Sequence, residues 1–354
     1  MDTLYRHLLK PLLFAMNPDT AHAIFMWIGE FSGRFYFTRK LFARIYGYRG
    51  PDISKTIDGI HYRTPVLLSA GFDTNGSLTR ILPSLSFGGE EIGSITAHYC
   101  EGNPKPRMIR MPRNQSIVVF KGLRNKGVDA LIEKLSHTNR EKNFVLGISI
   151  ARTNNSDANK STEASIEDFA ASFRKLNAAN IGDYYTINIS CPNAFGGETF
   201  TEPQLLTQLL TVIMSTPSQK PIYLKMPINL EWEQFNALLK VADKFNVHGV
   251  VIGNLNKEYG EVDFKEDCPT AYRGGLSGKP CRERSTTLIR LTRETYGKRF
   301  TIFGVGGILS PGDAMEKFAA GADLVQLISG MIFSGPGLVN KICETYASKN
   351  IQTT

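Results

Sequence analysis

The residues with the greatest capacity for chemistry stand together in residues 184–193, which read YYTINISCPN. Cys191 is a thiol, and an ordinary thiol titrates at about 8.5, close enough to neutrality for acid–base work. Asn188 and Asn193 flank it. Each offers two N–H donors and a carbonyl acceptor, which suits recognition of a ring amide or a flavin edge. Tyr184, Tyr185, Ile187 and Ile189 before the thiol have the composition of a short buried strand, and Pro192 ends that strand at once. The pattern predicts an acid/base group held between two amides at the end of a strand. The alternative is a cysteine that only fills the core; the flanking amides argue against it.

Lys225 is the second candidate. It is a lone cation among Ile222, Tyr223, Leu224 and Met226, and a buried lysine needs an anionic or electron-rich partner. Glycine clusters supply a third signal. Gly304-Val305-Gly306-Gly307 and Ser329-Gly330 are turns whose backbone N–H groups can cradle a phosphate, while Ser69-Ala70-Gly71 lets a flat ligand approach the chain.

The elements that must hold these residues recur in a regular order. Apolar strand-like runs occupy 65–69, 90–96, 144–150, 184–190, 221–226, 248–253, 300–304 and 323–328, and helical patterns such as 166–177, 203–214, 232–245 and 285–296 separate most of them. Eight strands alternating with helices predict a (β/α)8 TIM barrel. A doubly wound sheet is the competing arrangement, but no GxGxxG opens a helix after the first strand. In a barrel the chemistry gathers at the C-terminal strand ends. These carry Ala70 and Gly71, Ser94, Ser149, Asn188 with Cys191, Lys225, Asn254, Gly306 with Gly307, and Ser329 with Gly330; Gly278 lies in the loop after the sixth strand. Two glycine turns after strands seven and eight predict a phosphate on the ligand.

Residues 1–50 differ from the barrel at 51–354. Leu4, Leu8, Leu9, Leu12 and Leu13 share one helical face, and Asn17-Pro18-Asp19 starts a new helix with a cap, a proline and an acidic residue. Aromatics then interleave with Arg39, Lys40, Arg44 and Arg49. This small helical extension reads either as a cap packed on the barrel or as an amphipathic platform resting on a membrane and admitting a lipid-like molecule. Residues 53–63 read as a hairpin turning at Asp58-Gly59.

The 354 residues, with 42% hydrophobic and 21% charged content, describe a globular protein with ample core. A net charge of +8 suits an anionic ligand or membrane surface, while the scattered basic residues argue against nucleic acid. Five cysteines without a CxxC pair point to a reducing compartment and no structural metal. No run is long enough to span a bilayer. Location at the cytoplasmic face of a membrane is expected, with a soluble cytoplasmic protein as the alternative.

The motifs AGFDTNG (70–76), EIGSIT (91–96), GNPKPR (102–107), NISCPN (188–193), RGGLSGKP (273–280), FGVGGI (303–308) and LVQLISG (324–330) together resemble the dihydroorotate dehydrogenase family. The likeness runs from Asn17 to Gly335, and NPDTAH (17–22) is similar to the membrane-associated, quinone-using class 2 branch. The resemblance implies FMN held by Ala70, Gly71, Ser94, Ser149, Asn188, Lys225, Gly278, Gly306, Gly307, Ser329 and Gly330. It implies Cys191 as the base, Asn188, Asn193 and Asn254 on the substrate ring, and a quinone site at His22 and Arg110. Hydride would pass from dihydroorotate to the flavin and on to quinone, a step of pyrimidine biosynthesis.

At several family positions this chain differs. Thr74 stands where a lysine is usual, Val119 and Ser149 where asparagines are, Leu123 where an aromatic is, Leu255 where a hydroxyl is, and Ile328 where a tyrosine is. Lys121 and Arg124 are new cations, and Arg124 is the candidate to receive a substrate carboxylate. Two alternatives follow: an FMN oxidoreductase acting on a different small ring, or a lyase using Lys225 as a Schiff base. The loop at 193–202, with Gly196-Gly197, is the expected lid.

Overall fold

Eight short parallel strands close into a barrel in this computed structural model, which describes residues 5–191, 199–260, 262 and 274–351. Thirteen strands are described in all. β1 (Lys55–Ile57) and β2 (Ile60–Tyr62) form a hairpin; β3 (Val66–Leu68) and β4 (Gly89–Ile95) open the barrel. β5 (Met108–Met111) and β6 (Ser116–Val119) leave it, and β7 (Val145–Ile150), β8 (Tyr184–Asn188), β9 (Ile222–Met226) and β10 (Gly249–Ile252) continue it. After β11 (Gly275–Gly278), β12 (Thr301–Val305) and β13 (Leu324–Leu327) complete the circle, β13 pairing with β3. The eight apolar runs of the sequence fall on these eight barrel strands, because strands covered on both sides are apolar along their whole length. The helical patterns fall on Thr162–Ala178, Pro203–Met214, Trp232–Lys244 and Arg282–Tyr296.

The barrel interior is layered. Leu67, Val145, Tyr184, Tyr223, Val251, Phe303 and Leu324 fill the N-terminal end, and Tyr62 of the hairpin plugs it. Asp58 and Gly59 turn that hairpin with φ of 50° and 77°, and Asp58 Oδ2 accepts from the Tyr223 hydroxyl at 2.7 Å and Thr301 Oγ1 at 2.8 Å. Above this lies a polar layer, with Glu91, Thr186, Lys225 and Gln326 all buried. Ser149 and Asn188 point inward one step further up, since each lies two residues beyond an inward-facing residue of its strand.

Residues 108–119, which carry none of the eight apolar runs, form an antiparallel ribbon. β6 pairs with β5 on one side and β11 on the other. This three-stranded sheet stands as a wall at the barrel mouth, between the strand ends and the N-terminal helices.

Those helices are α1 (Lys10–Ala15), α2 (Pro18–Arg34) and α3 (Tyr36–Tyr46). Asn17 caps α2, its Oδ1 accepting from the N–H groups of Asp19 at 3.0 Å and Thr20 at 3.3 Å. The outer face is apolar: Leu8, Leu12, Trp27, Phe31, Phe37 and Leu41 are all exposed, Phe37 at 69%. Arg34, Lys40 and Arg44 are interspersed with them and are also exposed. No helix among the described residues is long and apolar enough to cross a membrane.

Candidate active site

Two cavities meet at the ribbon wall. The first, of about 500 Å³, opens at the barrel mouth and is lined by Ala70, Lys225, Asn254, Gly278, Gly306, Gly307 and Ser329. Most of the residues expected to hold a cofactor are thus brought to one chamber. Gly306 and Gly307 adopt φ of 104° and 71°, where a side chain is strained. A Cβ on Gly307 would stand 2.3 Å from Arg282 Cβ. The turn therefore lies directly on the start of helix Arg282–Tyr296, and only glycine fits both the dihedral and the gap. Ser329 Oγ donates to Ser277 Oγ at 3.0 Å, joining the end of the eighth barrel strand to the wall.

Lys225 rises from the polar layer into this chamber. Its Nζ faces Glu91 Oε1 at 3.8 Å, and among the described residues it has no hydrogen-bond acceptor. Burial lowers its proton affinity, while the charges of Glu91 and Cys191 oppose that shift. Glu91 Oε2 is well held, accepting from Gln326 Nε2 and Thr186 Oγ1 at 3.0 Å each and from the Tyr184 hydroxyl at 3.4 Å. Sequence reasoning supplied the lysine but missed Glu91, although that residue lies in the EIGSIT motif. Its alternation with Ile92 is the signal that could have turned it inward.

The amides form a chain. Ser149 Oγ and Ser94 Oγ lie 2.7 Å apart, and Asn188 Nδ2 donates to Ser94 Oγ at 2.8 Å. Asn188 Oδ1 accepts from the Ser190 N–H and hydroxyl, both at 3.2 Å. Asn254 Nδ2 donates to the Ser190 carbonyl and hydroxyl at 2.7 Å each. Ser190 is therefore the hub that seats the next residue, Cys191, a role invisible in sequence. Cys191 is half-buried. Its charge is felt by two buried cations, Arg152 and Lys225, so a thiolate there has opposite charge close by. Asn193, Gly196 and Gly197 lie outside the described residues.

The second cavity, of about 610 Å³, lies under α1 and α2 and is almost wholly apolar. Leu13, Phe14, Phe25, Phe72, Met108 and Ile117 line it, with His22, Arg110 and Tyr5 as polar points. His22 and Arg110 are thus brought to one chamber. The Arg110 guanidinium donates to the Met16 carbonyl at 2.7 Å and lies 4.9 Å over the Phe14 ring. Tyr5, which sequence reasoning did not single out, donates to the Ile332 carbonyl at 2.6 Å.

Arg124 is not brought to the mouth. It is exposed, on the loop beside Gly102, with its charge acting on Tyr99 and Glu101. Lys121 turns toward the helices instead, donating to the Gly71 carbonyl at 3.0 Å. The reason is local: Gly122 and Leu123 both have positive φ, 62° and 59°, so the chain reverses between the two cations. Thr74 Oγ1 accepts from Asn75 Nδ2 at 3.0 Å within its own loop.

Comparison with known proteins agrees with this geometry. The family model described as dihydroorotate dehydrogenase matches residues 52–349. A dihydroorotate dehydrogenase (quinone) of Thermosynechococcus vestitus is 32% identical over 96% of this chain and 95% of its own. One from Synechococcus sp. is also 32% identical, over 98% of this chain and 93% of its own. A ligand-free DHODH crystal structure from Eimeria tenella superposes with a TM-score of 0.82 at 25% identity, covering 95% of this chain and 96% of that one. The barrel, the two cavities and this likeness along almost the full length agree: the chain belongs to the dihydroorotate dehydrogenase family, in its quinone-dependent (class 2) branch.

Proposed function

We propose that the protein oxidises dihydroorotate to orotate, using FMN at the barrel mouth and a quinone in the apolar cavity as final electron acceptor. The observation that carries the cofactor reading is Lys225: a buried ammonium at the cavity wall with no hydrogen-bond acceptor among the described residues. Such a donor calls for an electron-rich ligand edge. The residues fit the cofactor elsewhere too, with Gly306 and Gly307 leaving their backbone clear for a phosphate and Ser329 on the same wall. Bound there, the flavin supplies the two-electron acceptor.

The chain's own residues do the rest. Cys191 Sγ takes the proton from one ring carbon as hydride leaves the adjacent carbon. Arg152 and Lys225 favour the thiolate that does so. Asn188, fixed by Ser94 and Ser190, presents its amide to the ring, and Asn193 is assigned the same task. Asn254 spends its N–H groups on Ser190, so it positions the Cys191 backbone as well as facing the ring. His22 and Arg110 receive the quinone at the apolar cavity. Trp27, Phe31, Phe37 and Leu41, interspersed with Arg34, Lys40 and Arg44, form a peripheral contact with a membrane from which the quinone enters.

One observation favours a second substrate. With Thr74 at the loop, Lys121 turned away and Arg124 exposed, a carboxylate at the mouth lacks its expected cation, which suits a different small ring. The test is the anaerobic visible spectrum of the holoenzyme before and after adding dihydroorotate. A bleached flavin band supports the first reading. A band that persists but bleaches with an uncharged dihydro ring supports the second, and protein that takes up no FMN refutes both.

A further inference from the structure

The wall between the cavities holds a half-buried cation that has no carboxylate in ion-pair contact among the described residues. Lys121 follows β6; its Nζ donates to the Gly71 carbonyl at 3.0 Å and stands 3.5 Å from His22 Nε2. Gly71 adjoins Ala70 of the polar cavity, and His22 lines the apolar one, so the amine stands between the two sides. An ammonium can only donate, which makes Nε2 the acceptor and places the ring hydrogen on Nδ1. The ring is also hydrogen-bonded to the Phe72 backbone and sits edge-on to the Phe72 ring at 4.9 Å.

A quinone that becomes a quinol takes up two electrons and two protons. Within the apolar cavity the polar groups are poor acids. Arg110 carries a guanidinium, which does not release its proton. Burial pushes Tyr5 up to about 12. Burial, with the Lys121 charge second, brings His22 down to about 3, so it is neutral and can pass a proton only if it receives one. Lys121 is different. Burial lowers it to about 8, with Asp19 and Asp73 opposing that shift and Arg124 and Arg107 adding to it. At neutral pH it is a charged acid in contact with a neutral relay.

Resting on the quinone reading above, we propose that Lys121 is the acid for quinone reduction. Its proton moves to His22 Nε2 while His22 Nδ1–H leaves the Phe72 backbone carbonyl for a quinone oxygen, and the ring reverts to the Nδ1–H tautomer before the next turnover. The two electrons and the other proton come from the reduced cofactor, both C=O groups become C–OH, and half-buried Lys121 regains its proton from solvent. The amine thereby occupies a place in the second half-reaction.

The test uses holoenzyme reduced with dithionite and mixed anaerobically with a short-chain benzoquinone, following return of the flavin band from about pH 6 to about pH 10. The wild-type rate is expected to fall as pH rises through about 8. Lys121→Met is expected to be at least about tenfold slower, with that pH step gone. Lys121→Arg keeps the charge and the hydrogen bonds but cannot release a proton, so it is expected to restore cofactor content and folding without restoring the rate; a purely structural lysine would be rescued. As an independent readout, acetic anhydride labelling of Lys121, read by mass spectrometry, is expected to reach half its maximum near pH 8. Either variant reoxidised at the wild-type rate with the wild-type pH profile would overturn the proposal, as would a labelling midpoint above about 10. Dihydroorotate plays no part in this assay, so failure of the substrate reading leaves it intact. Wild-type protein that the quinone does not reoxidise overturns the acceptor reading and this proposal together.

Discussion

Replacing Lys225 by methionine tests the polar layer inside the barrel. Its Nζ lies 3.8 Å from Glu91 Oε1. At an effective dielectric of about 20, that attraction is worth about 4 kcal/mol, but removing both charges from water offsets much of it. Losing the lysine alone is another matter, because the carboxylate stays behind. Breaking a buried pair costs about 3–5 kcal/mol. Glu91 Oε2 keeps its bonds from Gln326, Thr186 and Tyr184, so Lys225→Met should fall at the low end, about 3 kcal/mol. Adding Glu91→Gln removes the stranded charge while keeping the volume, and should return about 2 kcal/mol or more. The assay is urea unfolding of the cofactor-free proteins, compared as a double-mutant cycle. Flavin retention is measured in parallel. Both variants should lose it, because the double replacement restores stability but not the ammonium at the cavity wall. The reasoning is refuted if Lys225→Met is within about 0.5 kcal/mol of wild type, or if the double variant is no more stable than the single one.

Glu90 is fully buried, and neither carboxyl oxygen has a hydrogen-bond partner among the described residues; burial first, then Asp73, raises its pKa well above the usual carboxylate range. The folded state therefore holds a proton that the unfolded chain releases. Stability is expected to fall as pH rises above about 4.5, by about 1.4 kcal/mol per unit while the folded group stays protonated. Glu90→Gln should flatten that fall in a pH series of unfolding midpoints; an unchanged slope would exclude Glu90 as its source. Gly307→Ala combines φ of 71° with a clash against Arg282 and should abolish flavin uptake, whereas Gly59→Ala, at φ of 77° with open space, should cost only about 1–2 kcal/mol of stability. Equal effects would show that dihedral strain alone decides both. Asp58→Ala strands the Tyr223 hydroxyl and should cost about 1–3 kcal/mol in thermal unfolding. Phe37→Ser with Leu41→Ser should weaken cosedimentation with anionic vesicles without changing the cofactor spectrum; undiminished binding would remove α3 from the membrane face.

Much of the architecture was legible because local composition already encodes it. The β-branched and aromatic run ending in Cys191 became β8 and its exit, and the other seven apolar runs became barrel strands, since strands buried on both faces leave an uninterrupted apolar signature. The Asn17-Pro18 cap and the Asp58-Gly59 turn are likewise local devices. The ribbon of β5 and β6 left no such trace. It is short, and its pairing with β11 joins Ser116–Val119 to residues more than a hundred positions away.

What the chain by itself determined, then, was the set of strand ends and the chemical types placed on them: a thiol between amides, a lone lysine, and glycine turns. Partners were decided by tertiary structure. Lys225 meets Glu91 only because strands far apart in sequence lie in one barrel. Asn254 reaches Ser190 for the same reason, whereas Asn188 meets it locally, two residues away. Lys121 and Arg124, three residues apart, point to different places because the intervening backbone has positive φ. Type and spacing fix what a side chain can do, but which neighbours and how much water it meets depend on closure of the barrel, and those set its charge and its role.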